Sequence, residues 1–419
     1  MNYKEHLVCR VCDSDKLTPY LDLGNLPLSN NLASSALDEI HNQTYPLKVL
    51  FCESCGLSQL SIVIPPEEMF GHYVYRSGIS QGYVNHCRQM AKDLKVKHKL
   101  NQSSFHVDIA GNDCTLLKEF QEEIGLTVLN IDPAENLLRY CLSIGISTWP
   151  VFWNKKTAEM IVTRFLGSGK SEVEKPDPRA DLITATNVFA HVDDVREFLE
   201  AVKTVLKPTG VLVMEFPYLI DFIDNKEFDT VYFEHLSYFS IYPLTLLCEK
   251  IGLNVLSVEK QEIHGGSVRV TIGYGNMDSS LYKYVFNERR NYGNIEKYQE
   301  FAEDVQLTIS KFRQEIHALS YHNKIAGFAA SAKGNTLLNC AGITVGTMRY
   351  IVDETPEKIG KYSPGTRIPI VSMADMIRHP PDYLVLLSWN FADELMNKAR
   401  AAGYKGKFIV PIPEFKVID

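Results

Sequence analysis

The sequence predicts an α/β protein in which two units of alternating strand and helix follow a small N-terminal module held by cysteines. Three observations carry this reading. Four of the nine cysteines fall within the first 55 residues. From His106 the chain alternates apolar strand-like runs with helical stretches, an order that favours a parallel sheet. A second strand, small-residue turn and helix begins at Lys324, after a long amphipathic stretch. At roughly one domain per 150 residues, a chain of 419 residues holds two or three domains. The expected boundaries are 1–70, 71–275 and 276–419.

Composition removes several function classes. Lys and Arg number 43 against 51 Asp and Glu, a net charge of −8, and the basic residues are scattered. Such a surface does not neutralise a phosphate backbone, so no nucleic-acid partner is expected. There is no apolar run of membrane-spanning length, and the start Met1-Asn2-Tyr3-Lys4-Glu5-His6 lacks the apolar core of a secretory signal. The expectation is a cytoplasmic enzyme with no membrane partner.

The first element is the cysteine cluster, Cys9-Arg10-Val11-Cys12 and Cys52-Glu53-Ser54-Cys55-Gly56, two Cys-x-x-Cys pairs with 39 residues between them. Each pair places two thiolates on one tight turn, and two pairs complete a tetrahedral zinc shell. A disulfide pair or a redox site are the alternatives. A reducing compartment disfavours the first, and the second pair argues against the other. Four sulfur ligands leave no position for water, so the zinc is expected to be structural. The Leu-, Asn- and Pro-rich stretch between the pairs is too short of apolar periodicity for a core of its own, and here metal binding supplies folding energy.

The central unit opens with a strand, His106-Val107-Asp108-Ile109-Ala110, a turn, Gly111-Asn112-Asp113-Cys114, and a helix from Thr115. A second strand ends at Ile131-Asp132-Pro133. In a doubly wound sheet the first turn passes under a nucleotide-like ligand, and an acid closing the second strand bonds ribose about twenty residues later. Asp113 to Asp132 is nineteen. A plain strand-to-helix turn is the alternative, because only one glycine stands in it. Further strands fit Ala180 to Asn187 and Gly210 to Phe216, with a helix from Val195 to Leu206 between them, and Asn187 ends its strand at the carboxyl edge. Next, Tyr232, Glu234 and His235 lie within four positions, where a turn converges Tyr232 and His235 as a strand does not. A satisfied, partly buried histidine is the bland reading. His264-Gly265-Gly266-Ser267 reads either as a hairpin turn or as a cradle for substrate oxygens.

Tyr298, Phe301, Val305, Ile309, Phe312, Ile316 and Leu319 recur every three or four residues and predict a long helix with one packing face. The strand from Lys324 feeds Ala330-Ser331-Ala332-Lys333-Gly334-Asn335, where backbone amides at a helix start favour an anion. Strands at Met348 to Asp353, Tyr383 to Ser388 and Lys407 to Pro411 complete a second, smaller sheet.

Taken in order, the paired cysteines, Tyr73-Val74-Tyr75-Arg76-Ser77, Gly111-Asn112-Asp113, Ile131-Asp132-Pro133, Asn187 to Val192, Tyr232 to Ser240, His264 to Arg269 and Ala330 to Thr336 resemble the S-adenosylmethionine-dependent nucleotide-sugar C-methyltransferases. The resemblance covers essentially the whole chain. It implies a zinc-binding module, a class I methyltransferase domain of Rossmann-like fold and a C-terminal α/β domain of nucleotide-binding type. It implies S-adenosylmethionine and a structural zinc as cofactors, a monomer, and a dTDP-linked 4-keto-6-deoxysugar methylated at C3′ as the partner. The roles it implies are His235 as base, Glu234 orienting that imidazole, and Tyr232 with His191 as donors to an enolate oxygen. Tyr75, Ser77, Gly111, Asn112, Asp113, Asp132, Pro133 and Asn187 then hold the methyl donor. Tyr73, His264, Ser267, Arg269, Ser331, Lys333, Gly334 and Asn335 hold the substrate. A non-catalytic nucleotide-sugar-binding protein and a nicotinamide-dependent oxidoreductase are the other readings, the latter opposed by the absence of G-x-G-x-x-G from both turns.

Overall fold

A computed structural model describes residues 3–70, 76–166, 177–263 and 265–419. The expected sites Tyr73, Tyr75 and His264 lie outside the described residues. The N-terminal part contributes strands β1 (Lys4–Glu5), β2 (Leu17–Leu26), β3 (Tyr45–Cys52), β4 (Ser58–Leu60) and β5 (Ile62–Val63). β2, β3 and β4 form an antiparallel sheet where the sequence promised only a metal-stapled segment.

The central unit contains β6 (Phe105–Ile109), β7 (Thr127–Ile131), β8 (Thr148–Trp149), β9 (Ala180–Thr186) and β10 (Leu206–Pro217). After it come β11 (Ser237–Tyr238), β12 (Asn254–Gln261) and β13 (Ser267–Gly273). The sheet order is β12-β13-β10-β9-β6-β7-β8, parallel from β10 to β8 and antiparallel across β10, β13 and β12. The chain builds outward from β6 to β8 and then returns to β9 on the other side. This leaves a topological switch point between β6 and β9, and ligands of such sheets bind outside the carboxyl ends at that crevice. β11 leaves this unit altogether and pairs with β4, as the edge strand of the N-terminal sheet.

The expected long helix runs Ile295–Ser320 and buries Tyr298, Phe301, Val305, Ile309, Phe312 and Ile316, while Leu319 is half-buried. Each fully buried side chain of this size stabilises by about 1.5–3 kcal/mol. Beyond it β14 (Ile325–Phe328), β15 (Ile351–Val352), β16 (Ile370–Val371), β17 (Tyr383–Leu386), β18 (Lys407–Val410) and β19 (Lys416–Ile418) form the second sheet, in the order β16-β15-β14-β17-β18-β19. Its strands are parallel except for the β18/β19 pair. The N-terminal part belongs to two cores at once. Cys9, Val11, Cys52, Cys55 and Leu57 pack into the core of the central sheet. Tyr20, Leu21, Phe51 and Leu60 pack with Tyr298, Phe301 and the C-terminal strands. Among the described residues no helix is long and apolar enough to cross a membrane.

Candidate active site

Cys9, Cys12, Cys52 and Cys55 bring their four Sγ atoms within 4.8 Å of one another, with Cys9–Cys55 and Cys12–Cys52 at 3.5 Å. A tetrahedral zinc with bonds of about 2.3 Å needs sulfurs about 3.8 Å apart, so the thiols fit the ion. Hydrogen bonds from Cys55 and Cys9 also hold Cys52 toward the thiolate, the form that binds metal.

A cavity of about 740 Å³ lies at the carboxyl ends of β6, β7 and β9 and is closed on its far side by the C-terminal domain. The turn after β6 forms its floor. Ala110, Asn112 and Cys114 are all left-handed there, with φ of 54°, 53° and 62°, whereas Gly111 is not. Gly111 is required for space instead: a Cβ would lie 2.6 Å from both Asn130 Oδ1 and Asp108 Oδ2. Asp132 holds the turn, its carboxylate accepting from the amides of Asn112 and Ala134, each at 2.8 Å. It also borders the cavity beside Pro133. Asn187, left-handed with φ of 56°, reaches the same wall after β9. Ser77 lies there too, its amide donating to Asn112 Oδ1 at 3.0 Å.

Asp113 is placed differently from expectation. Its carboxylate accepts from Gly78 N at 2.9 Å and Thr115 Oγ1 at 2.6 Å, and the side chain stands off the cavity wall. It therefore clamps the Ser77–Ile79 turn to the floor. Asp108, which the sequence reading missed, borders the cavity with Oδ2 unpartnered among the described residues, while Oδ1 accepts from Thr184 Oγ1 at 2.6 Å. Burial pushes its carboxyl up to about 7. The available signal was a lone acid inside an apolar strand, immediately before the turn. Gly111 is thus set by the packing of Asp108 and Asn130 against the turn, and Asp108 Oδ2 is a buried carboxylate oxygen with no donor among the described residues.

Opposite this floor, the amide of His235 bonds the carbonyl of Tyr232 at 2.9 Å, making the turn that brings the two side chains together. His235 Nδ1 donates to the carbonyl of Thr230 at 2.8 Å, so Nε2 is the acceptor nitrogen, and the Tyr232 hydroxyl donates to it at 2.9 Å. The expected orienting role of Glu234 is corrected here. Its Oε1 accepts from Asn30 Nδ2 at 2.9 Å, and backbone, not carboxylate, fixes the imidazole. The reason is local: neighbours in a turn diverge, and Glu234 is directed toward the N-terminal part. His191 lies with its ring centroid 4.9 Å from that of His235 and lines the cavity. Burial pulls its pKa down to about 4, so it is neutral at pH 7.

On the C-terminal side Ser331 and Lys333 line the cavity. Ser331 caps the helix Ala332–Ala341, its Oγ accepting from Gly334 N at 3.1 Å. Lys333 Nζ sits 5.0 Å from the Trp389 ring centroid and 3.7 Å from Glu227 Oε2. Four expected substrate residues, Ser267, Arg269, Gly334 and Asn335, are not on the wall. Gly334 exists for packing, because a Cβ there would lie 2.6 Å from Leu387 Cβ. Asn335 donates to the Pro364 carbonyl at 3.1 Å. Ser267 donates to the Ile263 carbonyl at 3.1 Å, and Arg269 is buried in an ion pair with Glu215 at 2.6 Å.

Asp353, also missed, repeats the device of Asp132. At the end of β15 its carboxylate accepts from the amides of Ala330 and Thr355, each at 2.8 Å, below a left-handed Ala329 with φ of 71°. The chain thus carries two turn-and-acid crevices facing one cavity.

Comparison with known proteins agrees with this layout. Residues 9–70 match a family model described as "Putative zinc binding domain", residues 87–258 a methyltransferase domain, and residues 262–413 a C-methyltransferase C-terminal domain. The chain is 33% identical over 418 residues to C-methyltransferase NovU of Streptomyces niveus, covering 98% of this chain and 96% of that one. Among solved structures, magnesium protoporphyrin IX methyltransferase from Synechocystis with bound SAM aligns over 46% of this chain and 79% of its own, at 8% identity and a TM-score of 0.32. The PH0226 protein from Pyrococcus horikoshii aligns over 50% and 97%, at 13% identity and 0.34. With three consecutive domain matches and a relative aligned almost end to end, the chain belongs to the S-adenosylmethionine-dependent C-methyltransferases.

Proposed function

We propose that the enzyme methylates the ring carbon beside the 4-keto group, C3′, of a nucleotide-linked 6-deoxysugar, with dTDP as the nucleotide carrier. The observation that supports this best is the set tautomer of His235. With Nδ1–H committed to the Thr230 carbonyl, Nε2 is the basic nitrogen, and it borders the cavity. Carbon methylation beside a ketone needs a base for an acidified C–H, and a neutral imidazole serves near pH 7. When the sugar is bound, Nε2 takes the proton, and the Tyr232 hydroxyl turns from Nε2 to the ketone oxygen. Neutral His191 supplies a second N–H to the enolate oxygen. Gly111, Asp108 and Asp132 would hold S-adenosylmethionine, which would supply the electrophilic methyl group. The start of the Ala332–Ala341 helix and Lys333 hold the diphosphate.

A panel of nucleotide-linked 4-keto sugars with labelled methyl donor, read by mass spectrometry, tests the substrate. The expected product gains one labelled methyl at C3′. His235→Asn should abolish both methylation and solvent-proton exchange at that carbon. Exchange persisting at the wild-type rate would move the base elsewhere.

A further inference from the structure

We propose that Arg10, inside the first Cys-x-x-Cys pair, is a positioning residue that ties the two active-site histidine loops together. The inference rests on the assignment of His235 and His191 above. Arg10 has a fully buried side chain between two metal-site cysteines, so its backbone is fixed by the cysteine shell. Its Nε donates to Asp193 Oδ1 at 3.1 Å, two residues beyond His191 on the loop after β9. Its Nη1 donates to the carbonyl of Leu60 at 3.2 Å. Leu60 N in turn donates at 2.9 Å to the carbonyl of Leu236, the residue after His235. The Arg10 amide completes the junction through Gln59 Oε1 at 3.0 Å, while Gln59 Nε2 holds the Val8 carbonyl at 3.0 Å.

One guanidinium therefore spans two loops that are remote in sequence and carry imidazoles 4.9 Å apart. A planar fork with several fixed donors bridges a carboxylate and a carbonyl, and lysine does not reproduce that geometry. The cysteine module contributes to catalysis through this side chain, although its metal is closed and takes no part in the chemistry.

The test uses the full-length, metal-loaded protein with 15N-labelled histidine, and the variants Arg10→Met and Asp193→Ala. Metal content by mass spectrometry is expected to stay at wild-type level, and the His106 side-chain resonances to stay in place. The His191 and His235 imidazole resonances should both move. With the proposed sugar substrate, kcat should fall by about 100-fold, the cost of misplacing a reacting group by about an ångström, with KM for the methyl donor little changed. If Arg10→Met loses metal, Asp193→Ala decides, because that side chain is not part of the cysteine turn. Unmoved His191 and His235 resonances in Asp193→Ala overturn the proposal. A wild-type enzyme inactive on every sugar tried would sink the substrate assignment, while the resonances would still decide the role of Arg10.

Discussion

Gly111 and Asp108 lie close together at the turn after β6, and each yields a measurable consequence. Gly111→Ala would place a methyl 2.6 Å from two side-chain oxygens. Overpacking of this kind costs about 1–3 kcal/mol. A urea titration should show that loss, and calorimetry a weaker affinity for S-adenosylhomocysteine. Asp108 titrates near 7 in the folded chain against 3.8 ordinarily, because burial disfavours its charge. Between those values the folded state binds a proton that the unfolded state has released. Its contribution to stability therefore falls as pH rises through that window. Asp108→Asn should flatten that part of the stability profile in denaturation series from pH 4 to 8. The sequence showed Gly111 as a turn glycine but not why it is glycine: the left-handed positions fall to Ala110, Asn112 and Cys114, and only the neighbouring strand reveals the lack of space.

The turn that carries Tyr232 and His235 is an element held from outside itself. Trp389 Nε1 donates to Asp229 Oδ2 at 2.7 Å, and Thr336 Oγ1 donates to the Val231 carbonyl at 3.3 Å, on either side of the Thr230 carbonyl that orients His235. Trp389→Phe leaves a buried carboxylate oxygen without its donor, which costs about 1–3 kcal/mol. A lower thermal midpoint together with a reduced kcat is the expected outcome, and an unchanged kcat would show that the turn holds without the indole. The long helix was legible because its stripe repeats over many turns, and the convergence of Tyr232 and His235 because a turn permits it and a strand does not. β11 was not legible: two residues carry no periodicity, and their pairing with Ser58 and Gln59 depends on a partner about 180 residues away. Nor was β2, where Pro19 and Gly24 interrupt the alternation, nor β3, whose second residue is Pro46 and whose last four residues are all buried.

At the scale of the whole molecule, the N-terminal part works as a bracket. Its cysteine end packs into the central core, and its sheet end packs on the long helix through Tyr20–Tyr298 and Phe51–Tyr298 contacts at 5.1 and 4.5 Å between ring centroids. Removing zinc with a chelator withdraws folding energy from that bracket. Scanning calorimetry should then show the melting temperature fall for the whole protein, not the early loss of a small independent unit. A separate low-temperature transition of the N-terminal part, with the rest unmoved, would contradict this. The order of the three parts along the chain could be read in advance, since the paired cysteines, the strand–turn–helix run from His106 and the long apolar stripe before Lys324 each mark one of them. Their interlocking could not, because it depends on contacts between distant segments.

The pairing of β11 with β4 also bears on how such enzymes can be recombined. A chimera cut at residue 70 would join one protein's N-terminal sheet to another's edge strand, with the Tyr232–His235 turn stretched between them. Exchange between relatives should succeed only when residues 227–240 travel with the first 70, so the unit of inheritance here is a pair of separated segments and not a contiguous cassette.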